Sequence, residues 1–233
     1  MRVKLWAALI LSIKVNALVS VEAQAYIVKC TVTKENAMVS CRILLIQGHP
    51  DPIGSHLCHA LADAYAEGAQ EEGHQVRRVN VAKLDFPLLR SQQDWEFGQL
   101  PESLKQAQDD IAWAQHLVLF FPLWLGDMPA LLKGFLEQIA RPGFAFKPNS
   151  GNMMGKKGLS GRTARVVVTI GMPALLYRWY FRAHSVKSLE RNILGFVGIS
   201  PIKETLIGMV DKLGVEGVRK WLDKMRKLGA GCD

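Results

Sequence analysis

The residues best suited to hold a ligand form one continuous segment, Phe120–Gly134, which reads FFPLWLGDMPALLKG. An apolar strand runs into a turn that contains Pro122 and Gly126, and Pro129 then opens a helix at a position that needs no N–H group. In an open α/β sheet, ligands bind just beyond the carboxyl ends of the strands. A flat apolar loop with free N–H groups suits a flat aromatic ring system with polar edges, such as a flavin. The alternative is an ordinary strand-to-helix turn in which Trp124 caps the core.

Apolar runs typical of buried parallel strands alternate with segments of helical periodicity along the chain. This alternation predicts an α/β fold, a doubly wound five-stranded parallel sheet between two helical layers. The predicted strands are 41–47, 76–81, 117–121, 165–170 and 203–210, and the predicted helices are 55–72, 101–114, 129–140, 174–196 with a break, and 215–228. Residues 84–98 are predicted as an irregular loop and residues 142–161 as a glycine-rich connection.

Two further loops should leave the same sheet edge as the tryptophan segment. The first, 48–57, leads into a helix N-terminus, whose free N–H groups and dipole favour an anion. Ser55 suits this terminus either as a simple N-cap or as a phosphate ligand. In the other loop, 169–173, Gly171 permits close approach of the backbone to a ligand. Neither a GxGxxG fingerprint nor a P-loop is present.

The composition fits one α/β domain with extra segments, because the chain has 233 residues and 49% hydrophobic content. Its net charge of +8 is uneven. Residues 41–132 carry 6 basic and 12 acidic side chains, whereas residues 133–233 carry 18 and 7. A basic half attracts nucleotide phosphates, anionic membranes or nucleic acids. The basic residues are not interleaved with aromatic ones, which favours a dinucleotide over a nucleic acid partner.

Residues 1–40 form a predicted extension before a domain at 41–233. The extension has a basic start, a short apolar run and small residues near Ala23 and Ala25, as in a secretory signal peptide. The preferred interpretation is a spurious upstream translation or a poorly ordered arm, because Met38 lies three residues before the first strand. The four cysteines lack metal-ligand spacing, so the sequence predicts free thiols, no metal and a cytoplasmic protein.

Three pieces of the chain resemble one known family in order and spacing: RILLIQGHPDP with its following helix, FFPLWLGDMPALLKGFLEQIARPGFAF, and VVVTIGMPALLYRWYF with ILGFVGISPIKETL. Together they span residues 41–210. They resemble the flavodoxin-like NAD(P)H:quinone oxidoreductases, which include the potassium-efflux ancillary oxidoreductases. The resemblance implies a non-covalent FMN or FAD that passes hydride from NAD(P)H to a quinone-like acceptor by a ping-pong route.

The resemblance also implies site residues on each loop. The phosphate loop falls on His49, Ser55, His56 and Leu57, the ring-binding loop on Pro122, Leu123, Trp124, Leu125 and Gly126, and the third loop on Thr169, Ile170 and Gly171. The active-site tyrosine of the family falls on Tyr177, and His184 lies one position from the place of its histidine. Each of these two residues also fits a purely structural role: Tyr177 could pack between helix and sheet, and His184 could lie on the surface of a helix.

A second hypothesis is a flavin-bound regulatory subunit of a membrane potassium-efflux transporter, docked peripherally at the membrane. An electron-carrier flavodoxin is disfavoured, because such carriers are usually acidic. The apolar, aromatic stretch 175–181 predicts a homodimer interface near the active site. The sequence leaves open FMN or FAD, NADH or NADPH, the acceptor, the catalytic histidine and whether residues 1–37 belong to the mature protein.

Overall fold

The computed structural model describes residues 40–53, 56–149 and 152–233. The predicted extension, apart from Ser40, and the predicted ligand Ser55 lie outside the described residues. The remaining predicted site residues lie within them.

A five-stranded, all-parallel sheet forms the centre of the described domain. Its strands in spatial order are β2 (Gln75–Asn80), β1 (Arg42–Gln47), β3 (His116–Pro122), β6 (Thr163–Thr169) and β7 (Ile202–Ile207). The three central strands are almost wholly buried because helices cover both sheet faces. The predicted fold class, a doubly wound three-layer α/β/α arrangement, is confirmed.

The helices lie between the strands along the chain, except for the last one, which follows β7. They are α1 (Leu57–Glu71), α2 (Gln92–Phe97), α3 (Glu102–Trp113), α4 (Ala130–Ile139), α5 (Ala174–Trp179), α6 (His184–Ser188) and α7 (Gly214–Ala230). A π-helical turn, Leu189–Leu194, and a short turn, Gly195–Val197, continue α6. Side chains that alternate along the strands point to opposite faces of the sheet and form one hydrophobic core on each face. Leu45 and Phe120 pack with α1 and α7 on one face, and Phe121 packs with α4 on the other.

Helices α1 and α7 meet at two glycines. A Cβ on Gly68 would lie 2.0 Å from the carbonyl oxygen of Arg226, and one on Gly229 would lie 2.0 Å from that of Tyr65. No side chain fits at either place, so the two helices contact each other backbone to backbone. This contact sets the position of α1, which follows the first loop directly.

Two predicted segments differ from the structure, and the break predicted in a third is present. The supposed loop 84–98 contains α2, which begins after Ser91, whose hydroxyl accepts a hydrogen bond from the Asp94 N–H. The supposed connection 142–161 contains an antiparallel hairpin of β4 (Phe146–Asn149) and β5 (Asn152–Lys157). The predicted break in 174–196 falls where Arg182 and Ala183 have positive φ angles, which end helical geometry.

The prediction of free thiols is wrong for two cysteines. Cys41 and Cys232 form a disulfide with 6.4 Å between their Cα atoms, which joins the first strand to the end of α7. Cys58 is free and buried, and Cys30 lies outside the described residues. Spacing could not reveal this bond, because 191 residues separate its two partners.

Candidate functional site

The three loops predicted to form a site meet at the carboxyl edge of the sheet. The Gly48 N–H donates to the Phe120 carbonyl at 2.7 Å, and the Leu123 N–H donates to the Thr169 carbonyl at 2.8 Å. The Cys58 thiol and the Thr169 hydroxyl are 3.1 Å apart and share a hydrogen bond. Strand pairing therefore brings residues more than 100 positions apart in sequence into one site.

The tryptophan loop forms a tight turn on this edge. Trp124 and Asp127 exchange two backbone hydrogen bonds, at 2.8 and 3.0 Å, around a turn in which Leu125 and Gly126 have φ angles of 49° and 82°. Two successive positive φ angles are typical of a type I′ turn. The turn exposes Trp124, Leu125 and Gly126, whereas Pro122 and Leu123 stay half-buried. Within the described part of the chain, the Leu125 and Gly126 N–H groups donate no hydrogen bond.

Asp127 holds this turn in place from its end. Its carboxylate accepts a hydrogen bond from the Met128 N–H at 2.7 Å and another from the Ser185 hydroxyl on α6. The tryptophan loop is thereby attached to the segment that carries His184. The exposed apolar turn is thus held at its end by the two hydrogen bonds of the Asp127 carboxylate.

A chain of hydrogen bonds orders the first loop. The Gln47 side-chain amide donates to the Cys58 carbonyl at 3.0 Å, and its oxygen accepts from the His49 N–H at 3.1 Å. The Asp51 N–H donates to the His49 ring at 3.1 Å. The Asp51 carboxylate in turn pairs with the His56 ring at 2.7 Å. These bonds fix both imidazoles at the start of α1.

The two predicted histidine ligands, His49 and His56, lie stacked. Their ring centroids are 3.9 Å apart, and the His49 ring meets the Trp124 ring edge-on at 6.1 Å. Burial lowers the pKa of His49, and the positive charges that His56 and His59 can carry lower it further. An anion beside these rings would reverse this effect, because it would favour the protonated form. The arrangement therefore suits a phosphate group bound next to the tryptophan loop.

The third loop offers fewer free groups than the sequence suggested. The Thr169 hydroxyl and carbonyl are both engaged, as described above. Ile170 is 1% exposed, its N–H donates to Ile207, and its carbonyl accepts from Val210, so it has no free group for a ligand. Gly171 is exposed, and its nearest neighbour beyond the adjacent residues is the Asp211 carboxylate, 3.8 Å from a Cβ position. Gly171 is the part of this loop that a ligand can approach.

The two predicted catalytic residues have different environments. Tyr177 is 2% exposed and packs in the core beside Val186. Its hydroxyl is buried without a hydrogen-bond partner among the described residues, and burial raises its pKa. His184 is exposed at the start of α6. The buried position agrees with the packing role considered for Tyr177, and its contact with a flavin stays a prediction.

Sequence reasoning missed residues that position the site rather than touch a ligand. Asp51, Gln47 and Asp127 hold the loops through the hydrogen bonds described above. The Pro-flanked Asp51 was a usable signal, because aspartate in such loops often bonds to the backbone two residues on. It does so here, to the Ile53 N–H at 2.9 Å.

The fold and the site together define a class of protein. When only the five strands of the parallel sheet are numbered along the chain, their spatial order is 2-1-3-4-5. The loops that follow the central strands form a site at the carboxyl edge of this sheet. A family described as having a flavodoxin-like fold matches residues 41–227, and the chain belongs to this family.

Individual proteins similar to this chain are named as oxidoreductases. An uncharacterized NAD(P)H oxidoreductase of Haemophilus influenzae is 29% identical over 71% of this chain and 82% of its own length. An FMN-dependent NADH:quinone oxidoreductase of Clostridium beijerinckii is 27% identical over 76% of this chain and 88% of its own. The solved structure of an NAD(P)H:quinone oxidoreductase from Methanothermobacter marburgensis matches with a TM-score of 0.69 and 22% identity, over 84% of this chain and 100% of that one.

Proposed function

We propose that this protein is a flavin-dependent oxidoreductase that transfers hydride from NAD(P)H to a quinone-like acceptor. The observation that carries the proposal is that the tryptophan loop, the first loop with its two histidines, and Thr169 meet at one edge of the sheet. The relatives described above are named as oxidoreductases, which favours catalysis over the transporter-subunit alternative. The Clostridium relative is named as FMN-dependent, which favours FMN over FAD as the cofactor.

The groups present fit a non-covalent flavin. The exposed Trp124 and the free N–H groups of Leu125 and Gly126 offer an apolar surface with hydrogen-bond donors for a flat polar-edged ring. His49 and His56 offer ring nitrogens for its phosphate, at the start of α1. Ser55 and Leu57, on either side of His56, belong to the same proposed phosphate loop.

When bound, the flavin supplies the hydride chemistry, and the protein supplies binding and electrostatics. N–H groups fixed by the Trp124–Asp127 turn donate without reorganisation, which stabilises negative charge at a ring edge. Asp127 and Ser185 hold that turn still. We assign the exposed His184 to the side of the site facing the nicotinamide and the acceptor, and we keep Tyr177 there as what the family resemblance indicates, although its side chain is buried.

The proposal is tested by purifying the protein, recording its visible spectrum and identifying the released cofactor. We expect a yellow protein that releases FMN and oxidises NADH or NADPH when a quinone is added. A colourless protein that neither FMN nor FAD can reconstitute would refute the proposal. Robust reduction of quinones by the isolated protein would exclude an obligatory transporter partner.

Replacing Trp124 with alanine should raise the dissociation constant for FMN at least about fivefold, because an aromatic contact contributes about 1 kcal/mol beyond burial. Flavin fluorescence titration of the reconstituted protein measures this change. The control is Phe97→Ala, which removes another exposed aromatic ring, on α2 and outside the three loops. Equal FMN affinity of the two variants would show that Trp124 does not contact the ring.

We also propose a homodimer built on an aromatic surface formed by α5 and the turn after it. Five large side chains there are 41–76% exposed, namely Leu175, Leu176, Trp179, Tyr180 and Phe181. Such a patch is larger than isolated exposed residues and is typical of an interface. Because α5 begins three residues after Gly171, the second subunit would lie beside the site.

Replacing Trp179 with aspartate should raise the dimer dissociation constant at least about 100-fold, because a buried charge would replace an aromatic anchor. Sedimentation velocity over a concentration series measures the change, with Phe97→Asp as the matched control. A stable, flavin-loaded monomer of the unaltered protein would contradict the proposal.

For location, we propose the cytoplasm, where NAD(P)H is available. No helix among the described residues is long and apolar enough to cross a membrane. The Cys41–Cys232 disulfide weighs against this location, because such bonds persist mainly in oxidising compartments. Mass spectrometry of the natural protein, which reads both its N-terminus and the state of its thiols, decides the question.

A further inference from the structure

A cavity of about 200 Å³ lies between α1, β1 and the edge strand β2. None of the predicted flavin-site residues lines it. Its apolar lining consists of Leu45, Pro52, Ala62 and Val79. Pro52 belongs to the first loop, so the cavity lies behind the loop that holds His49 and His56.

His59, which lines this cavity, has unused hydrogen-bonding capacity. The residue is 9% exposed, and both of its ring nitrogens are buried without a partner among the described residues. Burying a polar group without a hydrogen bond costs about 1–3 kcal/mol. An imidazole with two unpaired nitrogens beside a cavity therefore indicates a missing ligand.

The other polar groups of the lining offer more donors than acceptors. Lys83 is exposed, and no carboxylate in the described ranges pairs with it. Arg78 and Asp63 both line the cavity and pair with each other, so the Asp63 carboxylate is offset by the guanidinium. The Asn80 side-chain oxygen already accepts the Ala82 N–H at 3.2 Å, which leaves its amide hydrogens to donate. The surplus of donors selects an anion.

We propose that this cavity is a second binding site, specific for a small oxyanion held by His59, Lys83 and Asn80. The phosphate and carboxylate groups of small molecules share the required chemistry, which is two or more acceptor oxygens on a compact negative group. Protonated His59 and Lys83 supply the charge, and Asn80 supplies a neutral donor. The site is separate from the proposed flavin phosphate site, and its existence does not depend on the flavin.

Binding to this site should strengthen as the pH falls. Burial lowers the pKa of His59, and the positive charges of His56 and Lys83 lower it further, against the carboxylates of Asp63 and Asp51, so the empty cavity favours the neutral ring. His49 and His56 face it from the first loop, with ring centroids 5.4 and 5.9 Å away, and Arg78 faces it from β2. An oxyanion favours the protonated ring, so binding takes up a proton.

The site is tested by NMR of the histidine side chains in the flavin-loaded protein. Inorganic phosphate or acetate is added at constant ionic strength, and the His59 signals are those missing from His59→Gln. We expect a saturable shift of these signals in the millimolar range. For acetate, which stays ionised over this range, affinity should rise by up to about tenfold between pH 7.5 and 6.5, since at most one proton is taken up. The tighter probe tells whether the occupant is a phosphate or a carboxylate.

Lys83→Gln keeps the test valid if the His59 variant does not fold. It should weaken binding about fivefold, because a charge-assisted hydrogen bond is lost. Lys105→Gln, which removes a lysine on α3 outside the cavity, should leave affinity unchanged. Lack of a saturable His59 shift up to about 50 mM of either probe, or a shift seen only after flavin removal, would overturn the proposal.

Discussion

Gly229→Ala should lower the free energy of unfolding by about 3 kcal/mol, the upper end of the range for overpacking a well-packed contact. The added methyl group would lie 2.0 Å from the Tyr65 carbonyl oxygen and 3.0 Å from the Ala69 nitrogen. Both are backbone atoms of α1, which cannot rotate away as a flexible side chain can. The helices must therefore separate, which loosens the packing of Met225 and Tyr65 in the core that they share.

Urea denaturation with the disulfide intact measures this change. The matched control is Gly231→Ala, two residues further on, where the nearest neighbour of a Cβ is 3.6 Å away and φ is −85°. Its stability should stay within about 0.5 kcal/mol of the unaltered protein. Because α1 follows the phosphate loop directly, Gly229→Ala should also weaken FMN binding. Equal stability of the two variants would show that the helices do not touch at Gly229.

Acid should destabilise the protein through His116, the first residue of β3. Burial, with a smaller contribution from the charge of Arg165, lowers the pKa of His116 to about 4 from its ordinary value of 6.5. Between these values the unfolded chain binds a proton that the folded chain does not. Stability is therefore fully present above pH 6.5 and declines as the pH falls toward 4, by up to about 3 kcal/mol in total.

His116→Gln removes this titration and should reduce the pH dependence of the unfolding free energy by up to about 1.4 kcal/mol per pH unit within that window. Glutamine can still bond with the Thr163 hydroxyl, which lies 2.6 Å from the His116 ring. The comparison is a series of urea titrations from pH 7 to 4, with His184→Gln as the control for loss of an exposed imidazole. The same slope in His116→Gln and the unaltered protein would contradict the assignment.

The sequence predicts the sheet because its strands carry their own signal. Strands β1 and β6 contain the apolar runs 43–46 and 166–168, which suit strands buried on both faces. Helix α2 has no buried residue, so no apolar periodicity marks it. The β4–β5 hairpin lies in a glycine-rich stretch that resembles a loop. Neither element carries an apolar pattern of its own, so sequence patterns fail to reveal them.

The site, too, could be predicted only in part from the sequence. That three loops converge could be predicted, since parallel strands end at one edge. The state of each side chain there could not, because it depends on neighbours distant in sequence. Ile170 is engaged by Ile207 and Val210, and Tyr177 packs against Val186, contacts that neither local spacing nor family resemblance reports. The unpaired nitrogens of His59 are likewise a property of the cavity around the residue.

The Cys41–Cys232 bond gives the domain a further property. Since the bond joins the first strand to the end of the last helix, the polypeptide from 41 to 232 is a covalent ring. Residues 41 and 232 are neighbouring points on that ring, with 6.4 Å between their Cα atoms, and a short peptide link could replace the disulfide there. Its chain could then be opened in any surface turn remote from the site without changing which strands are neighbours. The strand order of this domain therefore depends on the contacts between its elements, and a new break point in the ring would leave those contacts in place.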